Sequence, residues 1–94
     1  MHYTKDKQSL QVRLQGDFNL NAVRQIRELF DDREELTVDL SHSRFVNSEA
    51  ILYLQSLMQS GKTIRLKEPP KIFFEVLHIL GLHESWDLKK IVES

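Results

Sequence analysis

The 94-residue chain has no cysteine, which excludes disulfides and thiolate chemistry without fixing a compartment. It has three glycines, none adjacent to another, so no glycine-rich phosphate loop can be built. No apolar run approaches the ~20 residues of a membrane span, and the N-terminus lacks the apolar core of a signal peptide. Cytoplasm is therefore the expected location, with no direct membrane insertion. Neither sign of charge dominates: 13 Lys and Arg stand against 14 Asp and Glu, for a formal net charge of -1. The basic residues are scattered, which argues against a nucleic-acid partner. The four histidines, His2, His42, His78 and His83, are not at ligand spacing and have no carboxylate cluster beside them, so no metal or other cofactor is expected. No serine sits in a Gly-x-Ser-x-Gly elbow. Asp31-Asp32 and Glu34-Glu35 read as a solvated connection, not an acid/base pair. The chain is expected not to be an enzyme.

What is present describes an ordinary globular protein, 40% hydrophobic and 29% charged. This length suits one domain over residues 1–94, with a single core burying somewhat over ~60% of the unfolded chain's surface. No repeat, low-complexity tract or linker is visible.

The chain is organised around Leu36 to Met58. Leu36, Val38 and Leu40 alternate with Thr37 and Asp39, the period of a half-buried strand. A polar turn, Ser41 to Arg44, leads to the apolar pair Phe45-Val46, where the loop is expected to pass under the core through Phe45. Asn47 and Ser48 are good helix N-caps. Ile51, Leu54, Leu57 and Met58 then recur at three- and four-residue spacing, the stripe of an amphipathic helix.

Before this segment, Met1 to Lys5 is expected to form a short strand and Lys5 to Gln8 a turn. Leu10, Val12 and Leu14 mark a second strand, stopped by Gly16. A helix with the stripe Ala22, Val23, Ile26, Leu29 and Phe30 follows, capped by Asn19 or Asn21. After it, Asp31 to Glu35 is a charged connection. Gly61 stands where a helix ends in a left-handed residue, and Thr63 to Lys67 is another alternating strand. Pro69-Pro70 halts it and can begin a helix, which turns Ile72, Phe73, Val76, Leu77 and Leu80 inward and ends at Gly81-Leu82. The tail, His83 to Ser94, is expected to hold a short helix over Leu88 to Val92, with Trp86 as a core plug.

Three successive strands place Gln11, Arg13, Gln15, Thr37, Asp39, Thr63, Arg65 and Lys67 at alternate positions. A parallel sheet covered on both faces would be apolar on both. One face must be solvated, with the helices on the other, as right-handed crossovers running in one direction produce.

The order of motifs resembles the STAS domain, the fold of the bacterial anti-sigma factor antagonists. The residues that carry the likeness are Val38-Asp39-Leu40-Ser41, Phe45-Val46, Asn47-Ser48-Glu49-Ala50 and Ile51 to Leu54. Gly16-Asp17-Phe18, Asn21-Ala22, Ile64-Arg65-Leu66 and Val76 to Leu82 extend it over nearly the whole chain. The resemblance implies an α/β fold with a mixed, mostly parallel sheet of four or five strands and helices mainly on one face.

In that family the helix begins Asp-Ser-Ser-Gly, and its second serine is phosphorylated by the partner kinase. The aligned position here is Glu49, preceded by Asn47 in place of aspartate and Ser48, and followed by Ala50 in place of glycine. A carboxylate cannot take up a stable regulatory phosphate, so the resemblance implies a protein-interaction module without the ordinary switch. Two readings of Glu49 stay open. It imitates phosphoserine, with one charge against about 1.5 to 2, or it is a first-turn carboxylate favoured by the helix dipole by roughly 0.3–1 kcal/mol. The hydroxyl of Ser48 is expected to cap the helix. Tyr53, one turn beyond Glu49, is expected to share its face, and Leu52 to add apolar area. Asn47, Ser48, Glu49, Ala50 and Tyr53, with Asp17 in the turn before the first helix, form the expected partner-binding set. The implied partner is an anti-sigma factor or switch kinase. The alternative is the ATPase of a lipid-transport ABC system, with the chain as its STAS accessory subunit. Nucleotide binding, a third possibility, has no phosphate-binding sequence to support it.

Overall fold

The structure, a computed structural model, describes residues 1–93. The tail's last residue, Ser94, lies outside them. The elements in chain order are β1 (His2–Lys5), β2 (Ser9–Arg13), α1 (Leu20–Phe30), β3 (Glu35–Asp39), α2 (Ser48–Gln59), β4 (Thr63–Lys67), α3 (Lys71–Ile79), α4 (Leu88–Ile91) and β5 (Val92–Glu93).

The five strands lie in the order β1-β2-β3-β4-β5. β1 and β2 form an antiparallel hairpin, and the other three pairs are parallel. Because spatial order equals chain order, each crossover steps the same way, and the right-handed rule then puts the helices on one face. Along that face Leu10, Leu36 and Ile64 share a row, as do Val12, Val38 and Leu66. All six are buried. The opposite face carries Gln11, Thr37 and Arg65 in one row and Arg13, Asp39 and Lys67 in the next. The solvated face expected from the alternation is therefore present.

The helices close the core with Ile26, Phe30, Ile51, Leu54, Phe73 and Leu77, joined by Phe18 from the turn before α1, none more than 2% exposed. Burial of one such side chain contributes about 1.5–3 kcal/mol. Trp86 is buried against Phe73, its indole N–H donating to Gln55 Oε1. Asn19, not Asn21, caps α1, with its Oδ1 accepting the Ala22 N–H at 3.1 Å. At the end of α2, Gly61 has a φ of 89° and donates to Met58 O, while the Lys62 N–H returns to Leu57 O. This is the left-handed helix end that its position predicts.

Two features depart from expectation. The tail helix stops at Ile91, and Val92–Glu93 instead add a fifth strand to the edge of β4. His78 and His83 meet across the end of α3, with ring centroids 4.1 Å apart. Among the described residues no group of three or more metal-ligating side chains gathers there or elsewhere. No helix among them is long and apolar enough to cross a membrane.

Candidate functional site

The segment from β3 to α2 is held by polar groups belonging to the turn before α1. The Ser41 N–H first closes onto Asp39 Oδ1 at 2.9 Å, turning the chain out of the strand. Ser43 is buried, and its hydroxyl donates to Gly16 O at 2.7 Å. Asp17 Oδ1 accepts the N–H groups of Arg44 and Phe45. The Phe18 N–H donates to Phe45 O at 3.1 Å, and the Asn47 N–H donates to Phe18 O at 2.8 Å. Phe18 and Val46 thus form a parallel bridge.

That bridge decides which member of the apolar pair is buried. Val46, opposite Phe18, points into the core at 8% exposure, while Phe45 is 69% exposed. The expectation that the loop passes under the core through Phe45 is corrected: neighbouring residues of an extended segment face opposite ways, and the bridge gives the inward position to Val46.

Two residues beyond Phe18 and two beyond Val46, Leu20 and Ser48 open α1 and α2. The N-termini of the two helices consequently lie side by side. Asn47 is the N-cap of α2, its Oδ1 accepting the Glu49 N–H at 2.7 Å. Capping by Ser48 is a second correction. It is already the first helical residue, its side chain is exposed, and among the described residues its hydroxyl makes no hydrogen bond.

Glu49 is exposed in the first turn, without an ion pair among the described residues. Ala50 is fully buried in the core, so the surface at this turn is made by Asn47, Ser48 and Glu49 without it. Leu52, three residues on from Glu49, is exposed. Tyr53 is half-buried, with the Arg27 guanidinium 5.3 Å from its ring centroid. Burial pushes its hydroxyl pKa above the usual 10.0, and the Arg27 charge only partly offsets this. Asp17 is half-buried and engaged with backbone N–H groups. The geometry thus gives Asp17 a positioning role toward the loop that carries Phe45.

Phe45 and Leu20, both more than half exposed, are the surface features that sequence reasoning missed. An apolar side chain at the edge of a helical stripe reads as core until its partner segment is known. Arranged around Glu49, this end of the molecule offers an anionic group beside exposed aromatic and aliphatic side chains on a hydrogen-bonded loop. Protein interfaces favour such a combination of aromatic anchor and polar rim.

The family model described as "Mlab, STAS domain" matches residues 1–93. Among solved structures, the anti-sigma factor antagonist SpoIIAA in its unphosphorylated form is similar, with a TM-score of 0.68 and 16% sequence identity. That alignment covers 98% of this chain and 84% of the other, and at such identity the likeness is one of fold. No curated protein matches the chain. With one-directional crossovers, a loop-into-helix turn at Asn47 and a family match running from residue 1 to residue 93, the chain belongs to the STAS domain family.

Proposed function

We propose that the chain is a non-enzymatic interaction module that docks a regulatory protein through the N-terminal end of α2. Its partner on this reading is an anti-sigma factor or switch kinase of the kind the antagonist family meets. The observation that carries the proposal is the placement of Glu49. It is exposed, with its N–H held by the Asn47 cap, and the resemblance aligns it with the serine that is phosphorylated in the antagonists. Negative charge is then a permanent part of the surface, and affinity is set by sequence instead of by phosphorylation. The exposed Phe45 and Leu20 supply the apolar area that an isolated surface charge lacks.

A second reading follows from the resemblance to STAS accessory subunits: the same surface would brace the ATPase subunit of a lipid-transport ABC system. The two readings share a docking surface and differ in partner.

The test uses the purified kinase or transporter ATPase encoded beside the chain, captured on immobilised wild type and on Glu49→Ser. The expected result is capture of one of the two by wild type and an altered amount by Glu49→Ser. Equal recovery by both forms would remove the carboxylate from the mechanism. Incubating the chain with ATP and that kinase, then measuring intact mass, is expected to show no phosphate. A gain localised to Ser48 would overturn the claim that the switch is lost.

A further inference from the structure

His78 and His83 meet because the chain reverses between them. α3 ends at Ile79, and Gly81, with a φ of 74°, takes the left-handed conformation that lets the Leu82 N–H return to Leu77 O at 3.1 Å. Beyond the turn Trp86 is buried in the core, and its backbone N–H returns to Leu82 O. His83 is thereby held between two fixed points. Its ring lies against that of His78, with centroids 4.1 Å apart and planes 37° from parallel.

The two nitrogens of His83 have different surroundings. Nε2 lies 3.9 Å from Glu84 Oε1, a carboxylate that favours the tautomer carrying its proton there. Nδ1 then holds a lone pair. It is closed off from solvent and has no hydrogen-bond partner among the described residues, an unfavourable position for a polar atom. One ring nitrogen turned to a carboxylate, with the other left open as a donor of its lone pair, is the arrangement of metal-binding histidines. His78 supplies a second imidazole. It is exposed and makes no side-chain hydrogen bond among the described residues, so its ring is free to turn. The surrounding charge also suits a cation. Glu75 precedes His78 by three positions on the helix, and the carbonyl end of α3 carries the negative pole of its dipole.

We propose that His78 and His83 form a site for a divalent ion of the zinc type, bound through His83 Nδ1 and one ring nitrogen of His78. Ligation by nitrogen alone selects such ions over magnesium and calcium, which take oxygen. Two imidazoles at about 2.0–2.1 Å from one zinc have ring centroids roughly 5 Å apart, so the stacked rings need part by only about 1 Å and turn edge-on to the ion. Among the described residues no third ligating side chain joins them, so water fills the remaining positions. The bound ion ties the end of α3 to the segment leading to Trp86. α2 and α3 each follow a parallel strand and run back along the sheet, so this end of α3 lies away from the start of α2 and from Glu49.

The test adds zinc chloride to the full isotope-labelled chain and follows the histidine rings by NMR correlation of ring protons with ring nitrogens. Saturation at one equivalent is expected, with Nδ1 of His83 and one nitrogen of His78 shifting together while His2 and His42 stay in place. His78→Gln and His83→Gln, each checked for an intact amide spectrum, should weaken zinc at least about tenfold. Glu84→Gln, which removes the group that orients His83, should weaken it about tenfold. His2→Gln should bind as wild type does, and magnesium chloride should shift neither ring of the pair. No saturable shift, a shift confined to one ring of the pair, or undiminished binding by His78→Gln, His83→Gln or Glu84→Gln would each overturn the proposal. A site centred on His2 and the N-terminal amine would overturn it as well.

Discussion

Asp17 accepts two successive backbone N–H groups with a single carboxylate oxygen, those of Arg44 and Phe45, each at 3.1 Å. A residue before α1 thereby sets the shape of the loop before α2. Hydrogen bonds to a charged acceptor contribute about 1.5–3 kcal/mol when shielded, and less at a half-buried site. Asp17→Ala should lower the free energy of urea unfolding by about 1–3 kcal/mol and speed amide exchange at Arg44 and Phe45. Asp17→Asn, which keeps an acceptor, should lose less. Unchanged exchange in the alanine variant would mean that Asp17 does not shape the loop.

Phe45 and Val46 are adjacent but should respond oppositely to truncation. Phe45→Ala removes a side chain already in water, so stability should change by no more than about 0.5 kcal/mol. Capture of the docking partner should fall about tenfold or more, as for an aromatic anchor. Val46→Ala opens space in the core and should cost about 1–3 kcal/mol. Urea midpoints and pulldown on both variants separate the two effects. A large stability loss in Phe45→Ala would contradict its exposed position.

The same pair shows where sequence reading stops. Strand faces were legible because Leu10, Val12, Leu36, Val38, Ile64 and Leu66 alternate strictly with polar residues, and a single period fixes both faces. The turn at Asn47 was legible from cap chemistry. An isolated apolar pair has no period, and only the bridge to Phe18, 28 positions before Val46 in the numbering, decides which member turns inward. For the same reason β5 is not legible in the sequence, where Val92 continues the helical spacing of the tail, since two residues are too few to show alternation. Tyr53's half-burial under Arg27 and the meeting of His78 with His83 depend on how helices pack, which spacing along one helix cannot give.

The neighbours Asn47 and Ser48 make a second contrast, this one in capping. Because the Asn47 carboxamide accepts the Glu49 N–H, Asn47→Ala should cost about 1 kcal/mol. Ser48→Ala should be close to neutral in the same urea titration, since its hydroxyl caps nothing. If Ser48→Ala proved the costlier of the two, the cap would be misassigned.

Asp39 gives the fold a dependence on acid. Burial raises its carboxyl pKa, but the Ser41 hydroxyl and N–H, followed by the Arg13 and His42 charges, outweigh burial and leave it below the usual 3.8. The Arg13 Nε lies 3.6 Å from Asp39 Oδ2 across the β2–β3 ladder. A group whose pKa falls on folding stabilises the folded state above its unfolded pKa, and that contribution is lost as pH drops through the folded value. Asp39→Asn should therefore cost about 1 kcal/mol at neutral pH. The gap from wild type should narrow below about pH 4 as the wild-type carboxylate takes up its proton. Asp6, held low chiefly by the Gln8 and Ser9 N–H groups, titrates in both proteins, so some acid sensitivity remains in the variant. Urea unfolding of wild type and Asp39→Asn across this range checks the convergence. A gap that stayed constant down to pH 3 would show that Asp39 acts through shape alone and not through its charge.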